Sequence, residues 1–275
     1  MGVGDWILAS ADARELHEKN GLKAVFAKPD HSEHYWHEIF DGVSFIERHP
    51  KDGQAYNVIC NYQGNRPYFL GCKHHKVQWN PEFKARPGMI VLSQDERAYA
   101  LSVKAPLVVV EPNVDTKYSY AVNKDWGFAK WQTLVSRNKH IPWVQFDYGS
   151  KRLAGVRHVQ TTFRQACAVL DRALFLVATD GGLHHAAAAL GKPAVVLWGG
   201  FVGPDLLGYG THSNMRAKGV ESCGQMKFCG HCRRAMKALT VEEVEAEVNR
   251  LYAFCQVSSG VTQCCELSRR VAAHV

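Results

Sequence analysis

Between residues 107 and 198 short apolar runs alternate with helix-forming stretches, and nothing else in the chain restricts its fold as much. Leu107–Val110, Trp143–Phe146, Leu174–Ala178 and Ala194–Trp198 are apolar or nearly so from end to end. Runs of that length and composition read as strands buried on both faces, the pattern of a parallel sheet. Phe128–Asn138, Thr161–Asp171 and Leu183–Leu190 lie between them and read as helices. Strands and helices in strict series predict an α/β fold with a doubly wound parallel sheet. Such sheets bind ligands beyond the carboxyl ends of their strands. Function is therefore expected in loops 111–127, 147–160, 179–184 and 199–210. A final helix is expected over Val241–Phe254, with Thr240 and Glu243 forming a capping box.

The first part reads differently. A turn at Gly2 leads into a helix that runs to Asn20 and stops at Gly21. Short β-like runs follow at Leu22–Ala27, Ser44–Glu47 and Asn57–Cys60, while residues 61–88 read as irregular loop. The break at Lys104-Ala105-Pro106 sets a boundary, giving a first unit over 1–105 and a second over 106–255. A cysteine-rich insertion at 221–236 belongs to the second unit, and 256–275 is a C-terminal tail.

Composition narrows the class. Hydrophobic residues make up 46% and charged residues 21% of 275, enough for a sizeable core without disulfide staples. No run of 18 or more apolar residues is present, so no membrane-spanning helix is expected. The opening MGVGDWILASADARELHEKN lacks the basic start and uninterrupted apolar stretch of a signal peptide, so a cytoplasmic location is expected. A net charge of +7 suits phosphate-bearing partners, either a nucleotide-sugar or a nucleic acid.

The most informative segment is FLVATDGGLHHAAAALGKPAVVLWGG, residues 175–200. An apolar strand ends in Thr179-Asp180-Gly181-Gly182, and a helix of small residues follows. Glycines there let a backbone approach a ligand, and the free N–H groups of the helix start can hold phosphate oxygens. Alone, such a turn is also an ordinary strand-to-helix connection. The segment resembles the donor-site signature of glycosyltransferase family nine, the heptosyltransferases. Asp180-Gly181-Gly182-Leu183-His184-His185 resembles that family's Asp-Thr-Gly-Leu-Ser-His stretch, with His185 at the family histidine and Gly181 in place of its hydroxyl residue. Leu197-Trp198-Gly199-Gly200 and Gly208-Tyr209-Gly210 are also similar to the family pattern. Residues 111–135, EPNVDTKYSYAVNKDWGFAKWQTLV, resemble its first C-terminal strand, loop and helix, including the Lys-x-Trp step at Lys124. Gly2-Val3-Gly4-Asp5-Trp6 is similar to its N-terminal Gly-Asp turn, although a strand usually precedes that turn and here Met1 almost opens it.

The resemblance implies a GT-B-like fold of two Rossmann-like domains with a cleft between them, the N-terminal one reduced. It implies a glycosyltransferase that takes sugar from a nucleotide-diphosphate donor, inverting and metal-independent, of hexosyl or heptosyl type. Asp5 would be the base for the acceptor hydroxyl, and Lys124 would face the departing diphosphate. Donor contacts would come from Asn123, Asp180, Gly181, Gly182, Leu183, His185 and Gly199. Without the resemblance, Lys124 reads as a solvated loop lysine and Asp5 as a helix N-terminal charge. No Asp-x-Asp element is present, so no catalytic metal is expected.

The acceptor is expected to be a glycan or lipid-linked saccharide, and DNA carrying hydroxymethylated bases is the alternative. Arg66 and Tyr68 are acceptor-side candidates within the basic and aromatic stretch 61–88, which suits a phosphate backbone or a phosphorylated glycan equally. A non-catalytic glycan or nucleic-acid binding module on the same fold is a second reading. A dehydrogenase-like epimerase would need a GxGxxG turn, and none is visible.

Cys223, Cys229 and Cys232 fall within ten residues, with a CxxC knuckle at the last two. They suit a structural zinc site whose fourth ligand is His231, Cys255, Cys264 or Cys265, and they read otherwise as reduced thiols.

Overall fold

The structure is a computed structural model, and it describes residues 2–61, 65–114 and 119–258. The chain begins with helix α1 (Val3–Asn20), which ends at Gly21 in the left-handed conformation. Strands β1 (Ala24–Ala27), β2 (His34–Tyr35) and β3 (Asn57–Ile59) form a small sheet ordered β2-β1-β3. Ser44–Glu47 contributes only an isolated bridge between Ile46 and Ala24. Residues 61–88, expected to be irregular, contain an antiparallel hairpin of β4 (Phe69–Lys73) and β5 (Lys76–Trp79). Its turn places His74 and His75 at positive φ, a task usually given to Gly or Asn, and this hid the hairpin from the sequence. Helix α2 (Gln94–Leu101) closes the first part with a Ser93–Glu96 capping box.

The second part carries the predicted sheet. In chain order come β6 (Val108–Glu111), α3 (Phe128–Arg137), β7 (Trp143–Phe146), β8 (Arg157–Val159), α4 (Phe163–Asp171) and β9 (Leu176–Thr179). Then follow α5 (Gly182–Ala189), β10 (Ala194–Trp198), α6 (Pro204–Leu207), β11 (His212–Arg216), α7 (Gly230–Ala238) and α8 (Val241–Ser258). The six strands are all parallel, in the order β11-β10-β9-β6-β7-β8. Counted from β6, this is the 3-2-1-4-5-6 order of dinucleotide-binding sheets. The order reverses between β6 and β9, so the crevice beyond Glu111 and Thr179 is the switch point where such sheets take ligands.

Side chains alternate between the two faces of the sheet. Val108, Val110, Val177, Val195 and Leu197 pack with Trp131, Leu134, Val244 and Val248 from α3 and α8. Val109, Leu176, Val196 and Trp198 face the other way, toward α4 and α5. Trp6, Ile7, Phe26 and Phe40 of the first part join that same core, so the N-terminal layer is built onto the α5 side of the sheet. The alanines at 186–188 of α5 are fully or almost fully buried, and their size lets α1 approach. The predicted Thr240 cap is formed, with the Glu243 N–H donating to Thr240 Oγ1 at 3.2 Å. Among the described residues no helix is long and apolar enough to cross a membrane.

Candidate active site

At the switch point the chain leaves β9 through Asp180 and enters α5 at Gly182. Asp180 is buried and forms an ion pair with Lys124, 56 positions earlier, which ends a short 3-10 turn over Ser119–Lys124. Burial alone would raise the Asp180 carboxyl, but the Lys124 ammonium holds it below its usual range. Lys124 also lies 5.4 Å from the centre of the Phe201 ring. It is therefore a partly buried cation at the carboxyl end of the sheet, beside the first turn of a helix.

That first turn is organised by histidines. The Gly181 N–H donates to His184 Nδ1 at 3.0 Å, filling one of the open donors of the helix start. His184 Nδ1 also lies 2.9 Å from the Gly181 carbonyl oxygen and 3.4 Å from Asp180 Oδ1, and its Nε2 lies 3.1 Å from the Leu207 carbonyl. His185 Nδ1 meets the Tyr209 hydroxyl at 2.7 Å. Asp180, His184 and His185 lie close enough together to hold a cation. Their atoms are instead engaged with Lys124, Gly181, Leu207 and Tyr209. Burial pushes His184 and His185 down, and His212 down to about 3.

The first turn of α1 rests on the first turn of α5. A Cβ on Gly4 would stand 2.7 Å from His185 Cδ2 and 3.4 Å from Gly182 Cα, and one on Gly182 would stand 2.6 Å from Val3 Cγ1. Glycine at both places permits the crossing and carries the next residue, Asp5, to the same corner. Asp5 Oδ2 accepts the Gly2 N–H at 3.0 Å, while Oδ1 accepts the Tyr68 hydroxyl and lies 3.5 Å from Arg66. Asn61 donates to the Asp5 carbonyl at 3.1 Å. Arg66 and Tyr68 thus converge on Asp5. Tyr68 is buried, and burial and the Asp5 carboxylate both raise its hydroxyl. Gly4→Ala is expected to force the two helices apart and cost about 1–3 kcal/mol of stability, as overpacking does. Urea unfolding identical to that of the native protein would show that the helices do not cross here.

The other expected donor residues are placed as follows. Leu183 is buried in the core. A Cβ on Gly199 would be 2.8 Å from the Asn123 carbonyl. Asn123 itself is enclosed, with its amide turned toward the cysteine-bearing loop.

Cys223 Sγ lies 3.3 Å from Cys232 Sγ and 4.0 Å from Cys229 Sγ. Contact with Cys232 pulls the Cys223 thiol down to about 5 and pushes Cys232 up. Cys255 lies elsewhere, in the core with α8, where its thiol meets the Leu174 carbonyl. His231 turns to the Glu221 carbonyl at 2.9 Å. Neither joins the triad, and Cys264 and Cys265 lie outside the described residues. The three sulfurs fit a soft divalent metal, which would share the charge of the thiolates.

Sequence reasoning passed over Glu111. It ends β6 at the switch point, and its Oε1 accepts the Asn113 N–H at 2.9 Å and the Asn113 side chain at 2.8 Å. Burial raises its carboxyl to about 7. A lone acid closing the apolar run Leu107–Val110 was the available signal.

A 3-2-1-4-5-6 parallel sheet with a Gly-Gly helix start and a lysine at its switch point is a unit of the Rossmann type. Residues 153–203 match the sequence model described as Glycosyltransferase family 9 (heptosyltransferase), which bears out the resemblance over that segment. No curated protein matches. Among solved structures, the iron-containing dodecameric glycosyltransferase TibC from enterotoxigenic E. coli is similar over 92% of this chain and 74% of its own, at 15% identity and a TM-score of 0.60. The fold is therefore α/β of the kind found in GT-B-like heptosyltransferase structures. The ADP-heptose lipopolysaccharide heptosyltransferase II of E. coli aligns at 20% identity over 60% of this chain, with a TM-score of 0.44. A family 9 glycosyltransferase from Veillonella parvula aligns at 13% identity over 61%, also at 0.44. The chain spans about half the length of these two, 53% and 54% respectively.

Proposed function

We propose that the protein is a glycosyltransferase that moves a sugar from a nucleotide-diphosphate donor to an acceptor hydroxyl. The observation that carries this reading is the meeting of the α1 and α5 starts, which packs Gly4, the neighbour of the Asp5 carboxylate, on Gly182 and His185, just past the Asp180 that pairs with Lys124. The donor diphosphate would lie at the start of α5, held by backbone N–H groups and Lys124. Asp180 holds Lys124 in place through their ion pair. The acceptor oxygen attacks the anomeric carbon, its proton passes to Asp5, and the bond to the diphosphate breaks with its electron pair on the phosphate oxygen. Attack from the face opposite the diphosphate inverts the anomeric centre. Lysine and helix dipole stabilise the leaving group in this scheme, with no catalytic metal assigned. Reaction in the cytoplasm, where nucleotide-sugars are made, belongs to the same proposal.

The acceptor is proposed to be a glycan or lipid-linked saccharide. In the basic stretch that suited a nucleic acid or a phosphorylated glycan equally, Arg66 engages Asp5, Lys84 donates to the Asp205 carbonyl at 2.7 Å, and Arg86 pairs with Asp12 and Glu15. Those cations serve the fold, which favours a saccharide bound without phosphate contacts over DNA. The test is a thermal-shift screen of nucleotide-sugars followed by a transfer assay, since a true donor stabilises the fold by mass action. A protein stabilised by none of them, and hydrolysing none, would be a binding module and not a transferase.

Cys223, Cys229 and Cys232 are proposed to hold a structural zinc or iron. TibC is described as iron-containing, and three sulfurs within 4.8 Å of one another supply the donor set. Purified protein is expected to carry about one equivalent of metal, with Cys229→Ser or Cys232→Ser losing both metal and stability. Metal-free protein with thiols open to alkylation under native conditions would refute the site.

A further inference from the structure

The loop that carries the cysteines is more than a neighbour of the donor lysine. Asn123 precedes Lys124, is 1% exposed, and directs its whole amide into that loop. Its Nδ2 donates to the carbonyls of Gln225 at 2.7 Å and Lys227 at 2.8 Å, and its Oδ1 accepts the Cys229 N–H at 2.9 Å. Two donors and one acceptor at one position is a requirement that Asn or Gln meets and Asp does not. From the opposite side, Gly199 presses on the Asn123 carbonyl so closely that a Cβ would stand at 2.8 Å. The turn before Lys124 is thus clamped between the end of β10 and the cysteine loop.

The loop itself has little regular structure to hold it. From Cys223 to Cys229 it is fixed by borrowed bonds. The Cys223 N–H donates to the Gly200 carbonyl at 2.7 Å, the Gly224 N–H to Phe201 at 3.0 Å, and the Met226 N–H to His75 at 2.8 Å. The Val77 N–H donates to the Gly224 carbonyl at 2.8 Å and Gln225 bridges to Lys76, while the sulfur triad pins both ends of the span whose carbonyls and N–H Asn123 uses.

We infer that Asn123 is a positioning residue that sets the Lys124 ammonium at the diphosphate site by tying its turn to the cysteine loop, so that whatever orders the triad also governs donor affinity. This rests on the donor reading of Lys124 given above. It moves Asn123 from direct donor contact to support, and gives the cysteine loop a part in donor binding. Displacing Asn123 would leave buried polar groups unmatched and let the Lys124 Nζ drift, and small errors of placement are costly at charged sites.

The test measures the dissociation constant of a nucleoside diphosphate by calorimetry, using whichever of ADP, GDP and UDP gives the largest thermal shift with the native protein. Asn123→Ala is expected to weaken it about tenfold, a loss of the size expected for misplacing one charge-assisted contact. Lys124→Ala should weaken it at least as much, and the double variant should be no weaker than Lys124→Ala alone, because the two residues act through one ammonium. Stripping the metal from the native protein should raise the constant by a similar factor, with no further rise in Asn123→Ala. Asn123→Asp, which keeps the acceptor and loses both donors, serves if the alanine variant does not fold. Native affinity in a folded Asn123 variant, or losses that simply add, would overturn the inference while leaving Lys124 at the diphosphate. An unchanged constant in Lys124→Ala would instead remove the donor reading beneath it.

Discussion

Asp5→Asn is expected to lower sugar transfer about 10²-fold or more while diphosphate binding stays at its native value, since a general base contributes on that order to turnover and not to donor affinity. Asparagine keeps the shape and can still accept from the Tyr68 hydroxyl, but it has no basic oxygen to take a proton. The main competing role of Asp5 is local. It is the third residue of α1, and its Oδ2 caps the Gly2 N–H at 3.0 Å. A carboxylate in a first helical turn stabilises the helix by about 0.3–1 kcal/mol, and an amide oxygen retains part of that. The substitution therefore separates the roles: a base predicts a large loss of turnover with little loss of stability, and a cap predicts the reverse. The measurements are single-turnover transfer and urea unfolding of the same preparation. Turnover within a fewfold of native would remove Asp5, and with it the proposed path of the proton.

The six-stranded sheet was legible in its centre because a strand buried on both faces must be apolar throughout. Trp143–Phe146 and Ala194–Trp198 were read with their observed bounds, and both are buried along their length. The edge strands were not seen. Arg157–Val159 and His212–Arg216 each face a neighbour on one side only, so polar residues are tolerated and no apolar run marks them. The hairpin in 61–88 was hidden by its His-His turn. At the site, residues close in sequence were easier to find than the contacts that join them. Asp180 and His185 announce themselves in one segment. The pairing of Asp5 with Tyr68 spans 63 positions and that of Asn123 with Cys229 spans 106, and neither leaves a periodic or spacing signal. Glycine was legible as a hinge for ligand approach at 181 and 182. Its second use, the helix crossing at Gly4 and Gly182, is a matter of tertiary packing alone.

Acid is expected to destabilise the fold steeply between about pH 6.5 and about pH 5, because three buried histidines resist protonation there. His184, His185 and His212 are all depressed below 6.5, by burial first; His184 adds to the depression of the other two, while Asp180 partly offsets that of His184. In the unfolded chain each takes a proton near its ordinary value, so below it the unfolded state binds more protons and stability falls as pH falls. Glu111 works in the opposite sense. Raised from 4.5 to about 7, it holds a proton in the folded state that the unfolded chain has released, which favours the fold at the acid end of the same window. His185 and His212 less one carboxyl leave one proton, and His184 adds up to one more. At about 1.36 kcal/mol per proton and pH unit, the slope is about 1.4–2.7 kcal/mol per unit. That is a large share of a typical stability of about 5–15 kcal/mol. Asp180 adds to the trend only at more acid pH, since its carboxyl is held below 3.8. Urea unfolding at several pH values from about 7 to about 5 gives the slope directly. His212→Gln should reduce it by about one proton, or about 1.4 kcal/mol per unit. A midpoint that does not move across this range would mean that these histidines are protonated, and the neutral network around Tyr209 and α5 would have to be abandoned.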